Sequence, residues 1–254
     1  MSVYEPQGQV FLWDDHWIVA GQLLANKPHR HVSASLLWGM DGDFRLQVGA
    51  QWRQTRAAVV APDELQALDP GPTRMWIAQL DPDTDYWRSL RAYLGQRASA
   101  DLPPPVVQAQ VSVEGCNQHR QLLLDWIAQL ATPPADMDAR LRLICDQVRG
   151  QSAMPQDVAS LAGSVGLSAS RLAHLFREQL GVTLRRFMLH QKFYRMLSDW
   201  QPGKTLSELA ADAGFYDQPH MVRTARQFFD AVPSAFVARD NFSVCRCQSS
   251  AGPD

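Results

Sequence analysis

Two basic segments in this chain carry side chains of the kinds that contact nucleic acid, and they occupy corresponding places in a repeated sequence. Arg171, His174 and Arg177 fall in Arg171-Leu172-Ala173-His174-Leu175-Phe176-Arg177, and His220, Arg223 and Arg226 in His220-Met221-Val222-Arg223-Thr224-Ala225-Arg226. A guanidinium is a planar fork of donors, suited to the O6/N7 edge of guanine or to phosphate oxygens. Two other groupings invite a chemical reading. His29 and His31 would project to one side of a strand, as two metal ligands must. After Pro62, however, the chain offers Asp63, Glu64 and Asp69 but no histidine before His119. Two imidazoles do not close a site, so no metal and no cofactor are expected. Cys116 stands three residues before His119, but a nucleophilic thiol needs an activating neighbour, and this pairing reads as incidental. Cys116, Cys145, Cys245 and Cys247 have no CxxC spacing, and in a reducing compartment they would remain thiols.

The basic segments are positioned by a repeat. Leu161-Ala162-Gly163-Ser164-Val165-Gly166-Leu167 and, 48 positions on, Leu209-Ala210-Ala211-Asp212-Ala213-Gly214-Phe215 each give a helix end, a glycine and a large apolar residue. A helix, a tight glycine turn and a basic second helix is the helix-turn-helix pattern. Between the copies, a helix over Thr183 to Trp200 would run about 27 Å at 1.5 Å per residue, against roughly 34 Å between adjacent major-groove faces of a duplex. Its apolar residues change sides: Leu184, Phe187 and Met188 share one face, and Leu189, Phe193, Met196, Leu197 and Trp200 another. One helix could thus anchor two small cores, with Arg185, Arg186, Lys192 and Arg195 left to solvent or phosphate.

Seven helices are expected in this half: Asp138 to Arg149, Pro155 to Ser164, Ser168 to Leu180, Thr183 to Trp200, Thr205 to Ala213, Asp217 to Phe229 and Pro233 to Asp240. Ser168 and Thr183 are placed to cap starts, and Gly150, Gly166, Gly181 and Gly214 to follow ends. Upstream, Val10 to Leu80 reads as short strands, among them Val10 to Trp13, Trp17 to Ala20, Val32 to Trp38, Phe44 to Val48, Ala57 to Val60 and Met75 to Leu80. Turn residues such as Asp41-Gly42-Asp43 and Pro70-Gly71-Pro72 separate them, which points to a sandwich or small barrel. Helices follow at Thr84 to Gln96 and Gln118 to Leu130, the latter with an apolar stripe of Leu122, Leu123, Trp126, Ile127 and Leu130 that is a candidate dimer surface.

The two halves differ in charge. Residues 1–137 carry 10 Lys and Arg against 15 Asp and Glu, and the remainder 14 against 11. Only the helical half is basic, so phosphate binding must come from local clustering. No stretch of about 18 apolar residues is present and the first residues lack a leader pattern, so a cytoplasmic protein is expected.

Residues 138–240 resemble the DNA-binding domain of the AraC/XylS family of bacterial transcription regulators. The resemblance runs through Val158-Ala159-Ser160-Leu161-Ala162, Gly166-Leu167-Ser168-Ala169-Ser170-Arg171-Leu172, Leu175-Phe176-Arg177-Glu178, Leu180-Gly181-Val182-Thr183, Leu209-Ala210, Ala213-Gly214-Phe215, Asp217-Gln218, His220, Arg223 and Val232-Pro233-Ser234. Three places depart from it. The family usually has an aromatic at Ala225, a glycine at Asp230 and a basic-rich stretch at Gln191-Lys192-Phe193-Tyr194; the loss at Ala225 would loosen the second subdomain.

The resemblance implies base contacts from the start of each second helix, here Ser170, Ala173 and His174, then Gln218, His220 and Arg223. Arg223 suits guanine and Gln218 adenine, while Ser168, Arg171, Arg177 and Arg226 would hold phosphates. The N-terminal half is similar, more weakly, to the cupin-type effector domains that precede such regulators, with His29, His31 and Trp38 as candidate effector-pocket residues.

The expected protein is therefore α+β with two domains. A β-rich cupin-like barrel or sandwich with two helices (1–130), for effector binding or dimerisation, is followed by a linker (131–137), an all-α double helix-turn-helix domain (138–242) and a disordered tail (243–254). Its partner is double-stranded promoter or operator DNA, with RNA polymerase, a small-molecule effector and a second copy of the chain as further candidates. It is expected to be a regulator and not an enzyme. The alternative is a metal-dependent cupin or a DNA-repair enzyme, with Cys116 as methyl acceptor, fused to DNA-targeting helices.

Overall fold

The computed structural model describes residues 7–107, 115–130, 133–134, 136–150, 157–201, 203–230 and 242–248. The N-terminal half is built from β1 (Gln7–Leu12), β2 (His16–Gln22), β3 (His29–Arg30), β4 (Ala34–Gly39), β5 (Phe44–Val48), β6 (Gln51–Thr55), β7 (Ala57–Val60), β8 (Leu65–Asp69), β9 (Met75–Leu80), α1 (Asp85–Leu94), β10 (Ser99–Asp101) and α2 (Cys116–Gln129). Its seven-stranded sheet runs β10-β7-β4-β9-β2-β1-β11, where β11 is Phe242–Arg246, and its four-stranded sheet runs β3-β8-β5-β6. Neither strand order closes on itself, so the expected closed barrel is not formed and two open sheets stand in its place.

Alternation along each strand explains why these strands are apolar nearly throughout. Leu36 and Trp38 of β4, Trp76, Ala78 and Leu80 of β9, Ile18 and Ala20 of β2 and Phe11 of β1 face one core. The residues between them, including Leu37, Met75, Ile77, Val19, Val10 and Leu12, face a second core shared with Phe44, Leu46 and Leu68 of the smaller sheet. A strand buried on both faces loses the polar half of its pattern. Ser33, Ser35, Gln66 and Gln79 are a buried polar group that satisfies itself: Ser33 Oγ donates to Gln79 Oε1 at 2.7 Å, and the side-chain amides of Gln66 and Gln79 each donate to Ser35 Oγ at 3.0 Å.

Helices α1 and α2 cover the first core. Leu122, Leu123 and Trp126 are buried there, with Ile127 and Leu130 packed beside them, so this stripe is core and not a dimer surface. His119 is buried in the same place, its Nδ1 accepting from Trp76 Nε1 at 2.9 Å.

The C-terminal half comprises α3 (Ala139–Gly150), α4 (Val158–Ser164), α5 (Ala169–Leu180), α6 (Leu184–Ser198), α7 (Leu206–Asp212) and α8 (Gln218–Phe229). The expected start at Pro155 and the seventh helix at Pro233 to Asp240 lie outside the described residues. Helix α6, 15 residues and so about 22 Å long, joins two cores as its pattern predicts. Leu184 and Phe187 pack with α3, α4 and α5, whereas Phe193 and Met196 pack with α7 and α8.

The C-terminal strand departs from expectation. Residues placed in a disordered tail pair in parallel with β1, from Gly8 opposite Phe242 to Leu12 opposite Arg246. Cys116 and Cys247, expected as separate thiols, form a disulfide, while Cys145 and Cys245 are free. A pairing between residues 131 apart leaves no local signal in the sequence.

Candidate nucleic-acid interface

The two helix-turn-helix units are built by the same backbone devices. Gly166 and Gly214 adopt φ of 69° and 76°, the left-handed region that a Cβ disfavours. In each turn the residue after the glycine reaches back five residues, Leu167 N to Ala162 O at 2.9 Å and Phe215 N to Ala210 O at 2.8 Å. The second helices then start on capping side chains. Ser168 accepts from Arg171 N at 3.2 Å and Asp217 from His220 N at 2.6 Å, which satisfies amides that a helix start leaves open.

On α5, Leu172, Leu175, Phe176 and Leu180 turn inward. Ser170, Arg171, Ala173, His174 and Arg177 are thereby left exposed. All the candidates of the first unit share this outer face with Ser168, and His174 lies 3.8 Å from Glu178 in an exposed pair. On α8, Met221, Thr224, Ala225 and Phe228 are buried, and Arg223 and Arg226 are exposed. Gln218 and His220 are half-buried: Gln218 Oε1 accepts from Ser207 Oγ at 2.8 Å, and the His220 ring stands edge-on to Phe215 at 5.6 Å. Arg223 and Arg226 are thus exposed cations of α8, and the side-chain carbonyl of Gln218 is engaged by Ser207.

Ala225 sits in a closed core with Phe193, Met196, Leu209 and Met221. The expected looseness at this position is met by Phe229, whose ring lies 4.6 Å from that of Phe193.

The other side of the helical half is docked against the β-rich half, a seam the sequence reading did not include. Its centre is Asp81, which is buried and accepts from His190 Nε2 at 2.9 Å, Gln191 Nε2 at 2.6 Å and Arg149 Nη2 at 2.9 Å. Arg149 also pairs with Asp83, its Nη1 donating at 2.6 Å. Burial alone would raise the Asp81 carboxyl, but His190 and Arg149 outweigh it and hold it below the usual carboxylate range. For Asp83 burial wins, helped by the neighbouring Asp81 charge and only partly offset by Arg149, and its carboxyl is raised. Burial also opposes the charge on Arg149, yet the two carboxylates prevail and raise its pKa.

Further along the seam, Tyr194 Oη donates to His16 O at 2.9 Å and Asp230 Oδ2 accepts from Lys27 N at 2.6 Å. Arg186, expected to face solvent or phosphate, instead pairs with Asp63 at 3.2 Å and donates to Arg30 O at 3.1 Å.

Of the effector-pocket candidates, His29 and His31 are brought together and Trp38 is not. His29 is buried, its Nδ1 2.7 Å from Lys27 O and its Nε2 2.9 Å from His31 Nε2. His31 packs on Phe229 of α8 at 5.6 Å. Burial lowers the pKa of His29, and burial together with the His29, His190 and Arg186 charges lowers that of His31 well below the ordinary range. Trp38 belongs to the first core, under α1 and α2. The histidines are therefore part of the seam, and the tryptophan is part of a packed interior. Among the described residues, the grouping that could hold a metal ion is Cys116, Cys245 and Cys247 and not the histidine pair. No helix among the described residues is long and apolar enough to cross a membrane.

Comparison with known proteins places the helical half. A helix-turn-helix domain family model matches residues 161–239. The arabinose operon regulatory proteins of Salmonella typhimurium and Escherichia coli are each 34% identical over 129 residues, 48% of this chain and 44% and 43% of theirs. The chain thus matches less than half the length of these curated relatives. Among solved structures, an apo variant of ToxT from Vibrio cholerae covers 88% of this chain and 97% of its own, at 11% identity and a TM-score of 0.60. Wild-type ToxT with an unsaturated fatty acid bound covers 93% and 97%, at 12% identity and a TM-score of 0.59. At that identity the likeness shows the fold alone: a β-rich N-terminal part followed by a helical C-terminal part.

Proposed function

We propose that the chain is a member of the AraC/XylS family of transcription regulators and that it binds promoter DNA with α5 and α8 in successive major grooves. The observation that carries this is the pair of capped second helices, on either side of α6, with Ser170, Ala173, His174 and Arg223 presented outward. Arg223 and Gln218 supply base readout in the second unit, and Ser168, Arg171, Arg177 and Arg226 fix register on phosphates. The N-terminal half, read as cupin-like, carries the control of a cytoplasmic regulator. A ToxT structure with a bound unsaturated fatty acid supports a small-molecule effector as its input. Homodimerisation and contact with RNA polymerase complete the proposal.

The enzyme reading asks for residues that are otherwise engaged. Cys116 is bonded to Cys247, and His29 is held between His31 and Lys27 O. The test is chromatin immunoprecipitation with sequencing in the source organism, followed by anisotropy titration of the recovered sites against random duplex at several salt concentrations. Specific sites should bind roughly a thousandfold or more tighter than random sequence; equal affinity for both would overturn the proposal.

A further inference from the structure

Three of the four cysteines meet at one edge of the larger sheet. Cys116 opens α2, Cys245 lies in β11 and Cys247 follows it; the i, i+2 spacing directs the last two to one side of the strand. Cys116 and Cys247 are bonded with their Cα atoms 5.6 Å apart, and the sulfur of Cys245 stands 3.4 Å from that of Cys116. The three sulfurs all lie within 4.8 Å of one another. Cys245 is exposed and the other two are partly so. The strand they fasten is an edge strand, paired only with β1, and it is extended by Cys247 N donating to Leu12 O at 2.8 Å. Arg246 Nη2 donates to Trp200 O at 3.2 Å, so the strand also touches the end of α6.

We infer that Cys116, Cys245 and Cys247 form a thiol–disulfide exchange site whose reduction releases β11 from the sheet. A permanent cross-link has no use for a third thiol in contact with the bond. Here the Cys245 thiolate attacks the Cys116 sulfur, a Cys116–Cys245 bond forms, the Cys116–Cys247 bond breaks, and the electron pair leaves on Cys247, which takes up the proton that Cys245 gave. No net oxidation occurs in that step. Opening to three thiols consumes two equivalents of a low-molecular-weight thiol of the glutathione class. The first forms a mixed disulfide, the second leaves with it as the small disulfide, and two protein sulfurs gain two electrons and two protons; the small disulfide closes the site by the reverse path. Cys116 lies in the first turn of a 14-residue helix, where the open amides favour its thiolate. Cys145 is the internal contrast, a buried thiol whose pKa burial pushes well up.

The full chain, equilibrated in glutathione buffers from reducing to oxidising, would be alkylated and mapped by mass spectrometry, with amide exchange measured in parallel. Cys116 should lose alkylation over one range of buffers while Cys245 and Cys247 share the single thiol that remains, with Cys145 outside that range, and both Cys116–Cys247 and Cys116–Cys245 peptides should be recovered. Reduction should speed amide exchange in Ser243 to Arg246 by roughly tenfold or more, since a closed loop of this length constrains the released state strongly. Cys245→Ser, at an exposed position, should remove the second disulfide isomer and keep the exchange response, whereas Cys116→Ser should abolish the response. Any of three results would overturn the inference: persistent alkylation of all three cysteines in the most oxidising buffer, a single disulfide isomer, or strand exchange indifferent to reduction. Stoichiometric protection of the three reduced thiols by added zinc ion, with reoxidation blocked, would assign the cluster to metal and refute it equally.

Discussion

Arg149→Ala tests whether the two halves are held by charge. The guanidinium touches Asp81 and Asp83, whose side chains are 1% and 7% exposed. After truncation Asp81 keeps His190 and Gln191, whereas Asp83 loses its cation. A buried carboxylate stripped of its partner costs about 3–5 kcal/mol, but protonation sets a ceiling. Neutralising an acid of ordinary pKa 3.8 at pH 7 costs about 1.4 kcal/mol per unit, hence about 4 kcal/mol, and only about 1.6 kcal/mol at pH 5. The sign follows from linkage: the folded-state pKa of Asp83 rises above the unfolded value, so stability is full below about 3.8 and is lost as pH climbs toward the raised value. Urea unfolding of both proteins at pH 5, 6 and 7 should show the gap between them widening with pH, from about 1.6 toward about 4 kcal/mol. Adding Asp83→Asn to the variant should flatten that dependence. A gap that does not change with pH, or one below about 1 kcal/mol at pH 7, would refute the assignment of Arg149 as the partner of a dry carboxylate.

Arg223→Ala should relax sequence preference by about 1–3 kcal/mol at one base pair, whereas Arg177→Ala should weaken all duplexes alike and reduce the salt slope by about one phosphate contact; equal losses on specific and random DNA for Arg223→Ala would sink the distinction. The folded-state pKa values of His29 and His31 lie below the ordinary 6.5, so as pH falls the unfolded chain takes up protons first. The stability of the seam should therefore be complete above about pH 6.5 and decline below it, a slope that replacement of both histidines by glutamine should remove in thermal melts. Asp230 stands at φ 47° and accepts from Lys27 N. Asp230→Ala should cost about 2 kcal/mol, from a strained left-handed residue plus a lost hydrogen bond, and Asp230→Gly clearly less; the reverse order in denaturant melts would rule out the backbone explanation.

The helical half was legible because its signals are local. Capping residues, glycine turns and apolar spacing act within a few residues, and α5, α6 and α8 lie within two or three residues of their expected bounds. Most long strands were legible for the same reason. What escaped was fixed by partners distant in sequence. The short strands β3 and β10 exist only through pairing with β8 and β7, β11 only through β1, and Gln51–Thr55 is exposed over most of its length. Asp81 gave no signal either, since an acid in Asp81-Pro82-Asp83-Thr84 reads as turn chemistry and the residues that desolvate it lie about 70 to 110 positions away.

The departures from the family pattern have a common location. Gln191, where a basic-rich stretch is usual, donates to Asp81; Tyr194, from the same stretch, donates to His16 O; Asp230, where glycine is usual, accepts from Lys27 N. Each of the three has exchanged a generic property, positive charge or backbone freedom, for a directed hydrogen bond across the seam. The exchange is coherent in charge as well. A lysine or arginine at Gln191 would crowd Arg149 beside Asp81, which already has two partners in Arg149 and His190, while a neutral amide fills the third acceptor direction without adding repulsion. The two helix-turn-helix units are thereby held through α6 and the end of α8. Helix α6 is therefore more than a spacer: the β-rich half grips it directly through Asp81 and His16, while its two ends pack into the cores of the two helix-turn-helix units.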